Sequence, residues 1–182
     1  MLTGLDQLWV ADITYVHLAE EFGYLAVILD AFSRKVVGWG LEAHLHAELA
    51  ISALMMAIAA RRPIPGALIH HSDRGVQYAC TEYTEILAAH DIQRSMSRVG
   101  NPYDKAKAES FMKTLKQEEI NGSSYRNLRQ ARSAIGAFIE TVYNRQRLHS
   151  ALAYRSPDYE TAFGRFSEVT SLPEVSITED CY

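Results

Sequence analysis

The chain has 182 residues, 48% of them hydrophobic and 22% charged, with a formal net charge of −4. That length supports one domain with a sizeable core, and the small negative balance excludes a protein that captures polyanions by bulk charge. The two cysteines, Cys80 and Cys181, are far apart and in no ligand spacing, which argues against a zinc cluster or a disulfide framework and fits a reducing cytosol.

In chain order, residues 7–18 are rich in β-branched and aromatic side chains and predict a strand. Residues 23–32 and 35–44 follow after short turns, so the three form an antiparallel meander. Residues 47–61 predict a helix stopped by "RRPIPG". Its apolar run, 49–60, is too short to span a bilayer and reads as a buried helix. The first residues lack a basic segment followed by an apolar stretch, so no signal peptide is expected and the protein is placed in the cytoplasm, away from membranes. A short apolar strand over 67–72 precedes a helix over 80–91, with Thr81 as its expected N-cap. Residues 92–97 predict a last strand, and two helices follow at about 103–120 and 127–146. The run 164–182 is polar and acidic and reads as a loose tail behind a core of residues 1–163. Three antiparallel strands, then strands separated by helices, imply an α/β fold: a mixed five-stranded sheet, three strands antiparallel plus two parallel, flanked by helices.

Charge is unevenly spread. Residues 94–147 carry 11 Lys and Arg against 5 Asp and Glu, while the rest of the chain is acidic. The basic segment is either a solvated face or a surface that meets phosphates.

Three acids stand out. Asp12 lies mid-strand and shares a face with Leu8, Val10, Thr14 and Val16. An acid there is costly unless it is paired or binds a metal. Asp73 follows a short apolar strand, where plain turn formation competes with site chemistry. Glu109 has Lys105 and Lys113 four residues to either side, so exposed ion pairs would account for it as well. Helical phase nonetheless favours Glu109 over Asp104, Glu118 and Glu119 as the acid that joins Asp12 and Asp73. Three carboxylates from separate segments suit hard divalent cations, and such a pair of ions serves phosphodiester chemistry.

The segments "WVADITYV", "VILDAFSRKVVGW", "HSDRGVQY", "GNPYDKAKAESFMKTLKQE" and "YNRQRLHSALAYRSP", with 35 residues between Asp73 and Glu109, carry a resemblance. Over roughly residues 6–160 the chain resembles the integrase catalytic core of bacterial insertion-sequence transposases, which are related to retroviral integrases. The resemblance implies a ribonuclease-H-like fold and a triad of Asp12, Asp73 and Glu109 holding two Mg²⁺ ions, with Mn²⁺ as a substitute. It implies cleavage of DNA at element ends and transfer of the 3′-hydroxyl to a target, in a homo-oligomer, without a covalent protein–DNA intermediate. Arg74, Asn101, Lys105, Lys113, Lys116, Arg147 and His149 become candidate DNA contacts, with a buried, hydrogen-bonded role equally open for His149. Asp30 is expected to cap a hairpin turn with Ser33, and His70 and His71 to be strand residues rather than ligands. Relatives of this kind carry a helix-turn-helix before the core, so a chain starting at the first strand is expected to show no preference for element ends. A transposase remnant that binds DNA or an intact transposase without recombining DNA is the alternative.

Overall fold

The computed structural model describes residues 2–96 and 102–159, with the side chains of 102–105 excepted. Asn101, the side chain of Lys105 and the acidic 164–182 tail therefore lie outside the described residues.

Five strands form one sheet: β1 (Leu8–His17), β2 (Phe22–Asp30), β3 (Val36–Glu42), β4 (Ile69–Ser72) and β5 (Gln93–Met96). Their order is β3-β2-β1-β4-β5. The first three pair antiparallel, and β4 and β5 add in parallel, as the sequence predicts. The helices are α1 (Ala47–Arg61), the one-turn α2 (Val76–Ala79), α3 (Thr81–Ala89), α4 (Pro102–Leu115) and α5 (Leu128–Ala137). Both α4 and α5 continue into wider π-type turns, Lys116–Ile120 and Phe138–Gln146. The N–H of Asn121 reaches the carbonyl of Lys116, and that of Arg147 reaches Val142, each five residues back.

Strand alternation sends β1 into two cores. Trp9 and Ala11 pack with α1 and α3 through Leu49, Ala53, Leu54, Tyr83 and Leu87. Val16, with Leu25, Val27 and Leu29 of β2, packs against Phe111, Met112, Leu115, Ile135 and Ile139 of the α4–α5 layer. Ala108 extends this contact to Val10 and Ala31. The buried positions 108, 111, 112 and 115 of α4 recur at helical spacing and fix which side of that helix meets the sheet. On α1, a side chain at Gly38 or Gly40 would run into the backbone or side chains of Ala53, Ala57 and Ser52, so the two glycines let this helix lie close on β3.

Three details differ from the sequence-based expectation. Thr81 is the first residue inside α3; the cap is Cys80, whose Sγ accepts the Tyr83 N–H at 3.4 Å. Helix α2 occupies a stretch in which no element is predicted, because a single turn carries too little periodicity to register. The β2–β3 register slips between Ile28 and Leu29, leaving Val37 as an extra residue. Among the described residues no helix is long and apolar enough to cross a membrane.

Candidate active site

The site forms where β1 and β4 diverge. Val10 pairs with His71 at the end of their parallel ladder. Continuing that register brings Asp12 opposite Asp73, two residues further on each strand and hence on the same face. That is the face covered by α4, from which Glu109 projects. Asp12, Asp73 and Glu109 line one small cleft together with Val10, Ala11, His71, Ser72 and Ala108. The buried neighbour Ala108 keeps the helix close to the strand at this point.

Each acid is held differently. Asp12 is half-buried, and its Oδ1 accepts the Ile13 N–H at 2.9 Å. Asp73 is exposed in the β4–α2 turn, and its Oδ1 accepts the Gly75 N–H at 2.8 Å. A Cβ at position 75 would lie 2.8 Å from that same oxygen, so the glycine is what allows this turn to hold the carboxylate. Glu109 is exposed. Among the described residues it makes no ion pair with Lys113, so the simple helix-pair reading does not describe it on that side.

The groove continues along α4. Asp12, Ile13, Thr14, Glu109, Met112, Lys113, Lys116, Gln117 and Asn121 line an open extension of the cleft. Two of the candidate DNA contacts, Lys113 and Lys116, thus share a groove with two of the acids. Arg74 is exposed next to Asp73 in sequence. The other two described candidates stand apart, since neither lines the cleft or its extension. Arg147 pairs with Glu118 beyond the end of α4. His149 packs edge-on against Tyr143 at 5.2 Å. Burial, reinforced by Arg147 and Arg34, lowers its pKa and keeps it neutral.

Asp30 takes the structural role expected of it. It is fully buried, with Oδ1 accepting the Ser33 N–H at 2.7 Å and the Ser33 hydroxyl at 2.8 Å. Its Oδ2 accepts the Asp6 N–H at 2.7 Å. Desolvation raises its pKa despite these bonds and the nearby Arg61.

Three residues near or behind the site escape the sequence reading. His71 is a strand residue, as expected, yet it also lines the cleft; its Nδ1 meets Ser95 Oγ at 3.1 Å. Alternation from Asp73 was the available signal. Tyr78 of α2 is buried, and its hydroxyl pKa is raised well above normal by burial, with the charges of Tyr83, Asp12 and Asp73 adding to it. It stays a neutral phenol beside the two acids. Asn144, in the "YNRQRLHS" segment, is buried and bonds the backbone of Val36 twice, accepting its N–H at 3.0 Å and donating to its carbonyl at 3.1 Å. It thereby ties the α5 layer to the edge strand β3.

The donor set is what a hard divalent cation takes: carboxylate oxygens from three separate elements, opening on one cleft. Among the described residues no three acids or histidines already stand in a ligating cluster. Like charges that repel without a counter-ion give a reason for such spacing.

Comparison with known proteins places this geometry. Two models of the integrase core domain match, over residues 3–102 and 90–157. The transposase for insertion sequence element IS904 of Lactococcus lactis is 43% identical over 159 residues, covering 87% of this chain and 62% of that protein. The transposase InsF for insertion sequence IS3A of Escherichia coli is 41% identical over 156 residues, covering 86% of this chain and 54% of that one. The chain thus spans little more than half the length of these curated relatives. Among solved structures, a chain of the simian T-cell lymphotropic virus intasome aligns with a TM-score of 0.69 at 18% identity, over 97% of this chain and 58% of that one. The HTLV-2 integrase catalytic core domain in complex with magnesium aligns with a TM-score of 0.65 at 18% identity, over 85% and 95%. These similarities identify the mixed sheet and its flanking helices as the ribonuclease-H-like fold of integrase cores. With one family model matching more than half of its residues, the chain belongs to the integrase core domain family.

Proposed function

We propose that this domain is the catalytic core of an insertion-sequence transposase, a metal-dependent polynucleotidyl transferase. It nicks DNA at element ends and joins the freed 3′-hydroxyl to a target strand. The observation that carries this reading is the meeting of Asp12, Asp73 and Glu109, from two parallel strands and a helix, in one cleft. The similarity to insertion-sequence transposases supports the choice of DNA as substrate.

In this reading the three carboxylates hold two Mg²⁺ ions, or Mn²⁺ in their place. Bound there, divalent cations would supply the charge that activates an attacking hydroxyl and stabilises a leaving oxygen. The protein's own part is orientation. Gly75 fixes Asp73 through the turn, and Ala108 sets the approach of α4 and so of Glu109. Lys113 and Lys116 receive backbone phosphates along the groove, and Arg74, next to Asp73 in sequence, is assigned the same task. By resemblance alone Asn101 and Lys105 share it, and Arg147 and His149 have a supporting one. A homo-oligomer in the cytoplasm would bring two element ends together.

The test is nicking of supercoiled plasmid by the purified chain with Mg²⁺ or Mn²⁺. Asp73→Asn is expected to lower the rate by roughly a thousandfold or more, since a ligand of the reacting centre is lost. Because Asp73 is exposed, the variant keeps its circular dichroism and melting temperature. Cutting by Asp73→Asn at the wild-type rate overturns the assignment.

A further inference from the structure

One surface of the molecule is used neither by the core nor by the triad. Strand β4 covers β1 only as far as Val10, so among the described residues the edge of β1 from Asp12 to His17 on that side is paired with no other strand. At the far end of this stretch Tyr15 and Phe22 are about half exposed, 53% and 50%. With the exposed His17 they form a continuous aromatic patch. Ring centroids lie 5.4 Å apart for Tyr15 and His17, 6.1 Å for Tyr15 and Phe22, and 4.7 Å for His17 and Phe22. Register explains the grouping: His17 pairs with Phe22, and Tyr15 lies diagonal to it on the same sheet face.

Large exposed aromatics in a row carry a solvation cost that a core role would have removed. This patch also has a cation on it. The Lys116 ammonium lies 5.1 Å from the Tyr15 ring centroid, and Lys116 lines the same groove as Asp12, Glu109 and Lys113. Tyr15 follows Asp12 by three positions, roughly 10 Å along the strand, and this odd spacing turns its side chain to the opposite sheet face. Lys116, a phosphate-compatible side chain, joins the aromatic surface to the catalytic groove around the open edge of β1. Glu20 and Glu21 are exposed in the β1–β2 turn, so a polyanion would cross the patch on its Lys116 side rather than over the turn.

Aromatic faces beside a cationic track are how proteins hold unpaired bases, whatever their sequence. Resting on the transposase reading above, we propose that Tyr15, His17 and Phe22, with Lys116, form a stacking surface for the unpaired bases of a DNA strand leaving the catalytic groove. The surface would distinguish frayed or overhanging DNA from a closed duplex.

The experiment uses the full chain without divalent cations, so that nothing is cut. Fluorescence anisotropy compares a blunt duplex with one of the same sequence ending in a four-nucleotide single-stranded overhang that carries 2-aminopurine. The wild type is expected to favour the overhang and to quench the 2-aminopurine. Tyr15→Ala and Phe22→Ala should each lower overhang affinity roughly tenfold, change blunt-duplex affinity less than about twofold and abolish the quenching. Tyr15→Trp should retain both. Equal affinity of the wild type for the two DNAs, or alanine variants that bind like the wild type, overturns the stacking surface while leaving the transposase reading in place. A shift in sedimentation on Tyr15→Ala with unchanged DNA binding overturns it in favour of a protein contact. Binding of neither DNA overturns both readings.

Discussion

At the scale of single residues, the proposed site depends on placing an acid as well as on possessing one. Asp73 is held by the N–H of Gly75, and a methyl group at that position would press on the same oxygen. Gly75→Ala therefore keeps every triad member yet turns one aside. Loss of nicking activity by about a hundredfold is expected from misplacement alone, with melting temperature little changed. Activity within a few-fold of wild type would show that the turn does not position the acid. His70 tests a different kind of burial. It is fully buried, its Nε2 meets the Tyr83 hydroxyl at 2.9 Å, and desolvation pushes its pKa down to about 4. Because the folded pKa is depressed below the unfolded value near 6.5, the unfolded state takes up the proton first as pH falls. Stability present above pH 6.5 is therefore lost between 6.5 and about 4, by an order of 3 kcal/mol from this residue. Denaturant titrations across that range should show the slope, and His70→Phe should flatten it; an unchanged slope in the variant refutes the assignment. His149 acts in the same direction.

At the scale of elements, the helices are attached to the sheet by specific polar or steric fits in addition to apolar area. The edge strand β3 is open on one side, and the backbone of Val36 finds its partners in the Asn144 side chain. Asn144→Ala leaves a buried N–H and carbonyl without partners, and a loss of about 2–4 kcal/mol is expected. Hydrogen exchange should locate it: the Val36 amide loses protection before the amides of β1 and β2. Uniform loss of protection across the sheet would argue against this attachment. The segment "YNRQRLHS", grouped with the site by resemblance, is in this respect a fastening between α5 and the sheet. Arg147 joins the end of the α5 layer to the turn after α4 by pairing with Glu118.

At the scale of the whole molecule, a net charge of −4 has to be reconciled with the proposed DNA substrate. The resolution lies in distribution: Lys113 and Lys116 border the groove that holds the acids, so positive charge is local to the proposed strand path. If each contacts one phosphate, Lys113→Ala and Lys116→Ala should each make the salt dependence of DNA binding shallower by about one unit. Both should weaken binding alike on element-end and scrambled sequences, and the exposed Lys113 should leave the melting temperature within about 2 °C. Titrations of labelled DNA at several salt concentrations provide the check, and unchanged slopes would place the phosphates elsewhere.

Much of this was legible in the chain itself, for reasons that are local. Runs rich in β-branched and aromatic side chains define β1 to β3, and an apolar run stopped by "RRPIPG" defines α1. Phase along α4 separates Glu109 from Asp104 and Glu118, while Asp30 and Ser33 announce their turn by proximity. What the tertiary structure alone decided involves partners far apart in sequence. Asn144 meets Val36 across 108 residues, and His71 joins the cleft only because β4 lies beside β1. Arg147 is drawn to Glu118 rather than into the groove, and Tyr15 and Phe22 come together across a strand pair whose open edge depends on where β4 stops. Side-chain periodicity reports which face a residue occupies; the register between distant segments, set by packing of the whole, decides what that face meets.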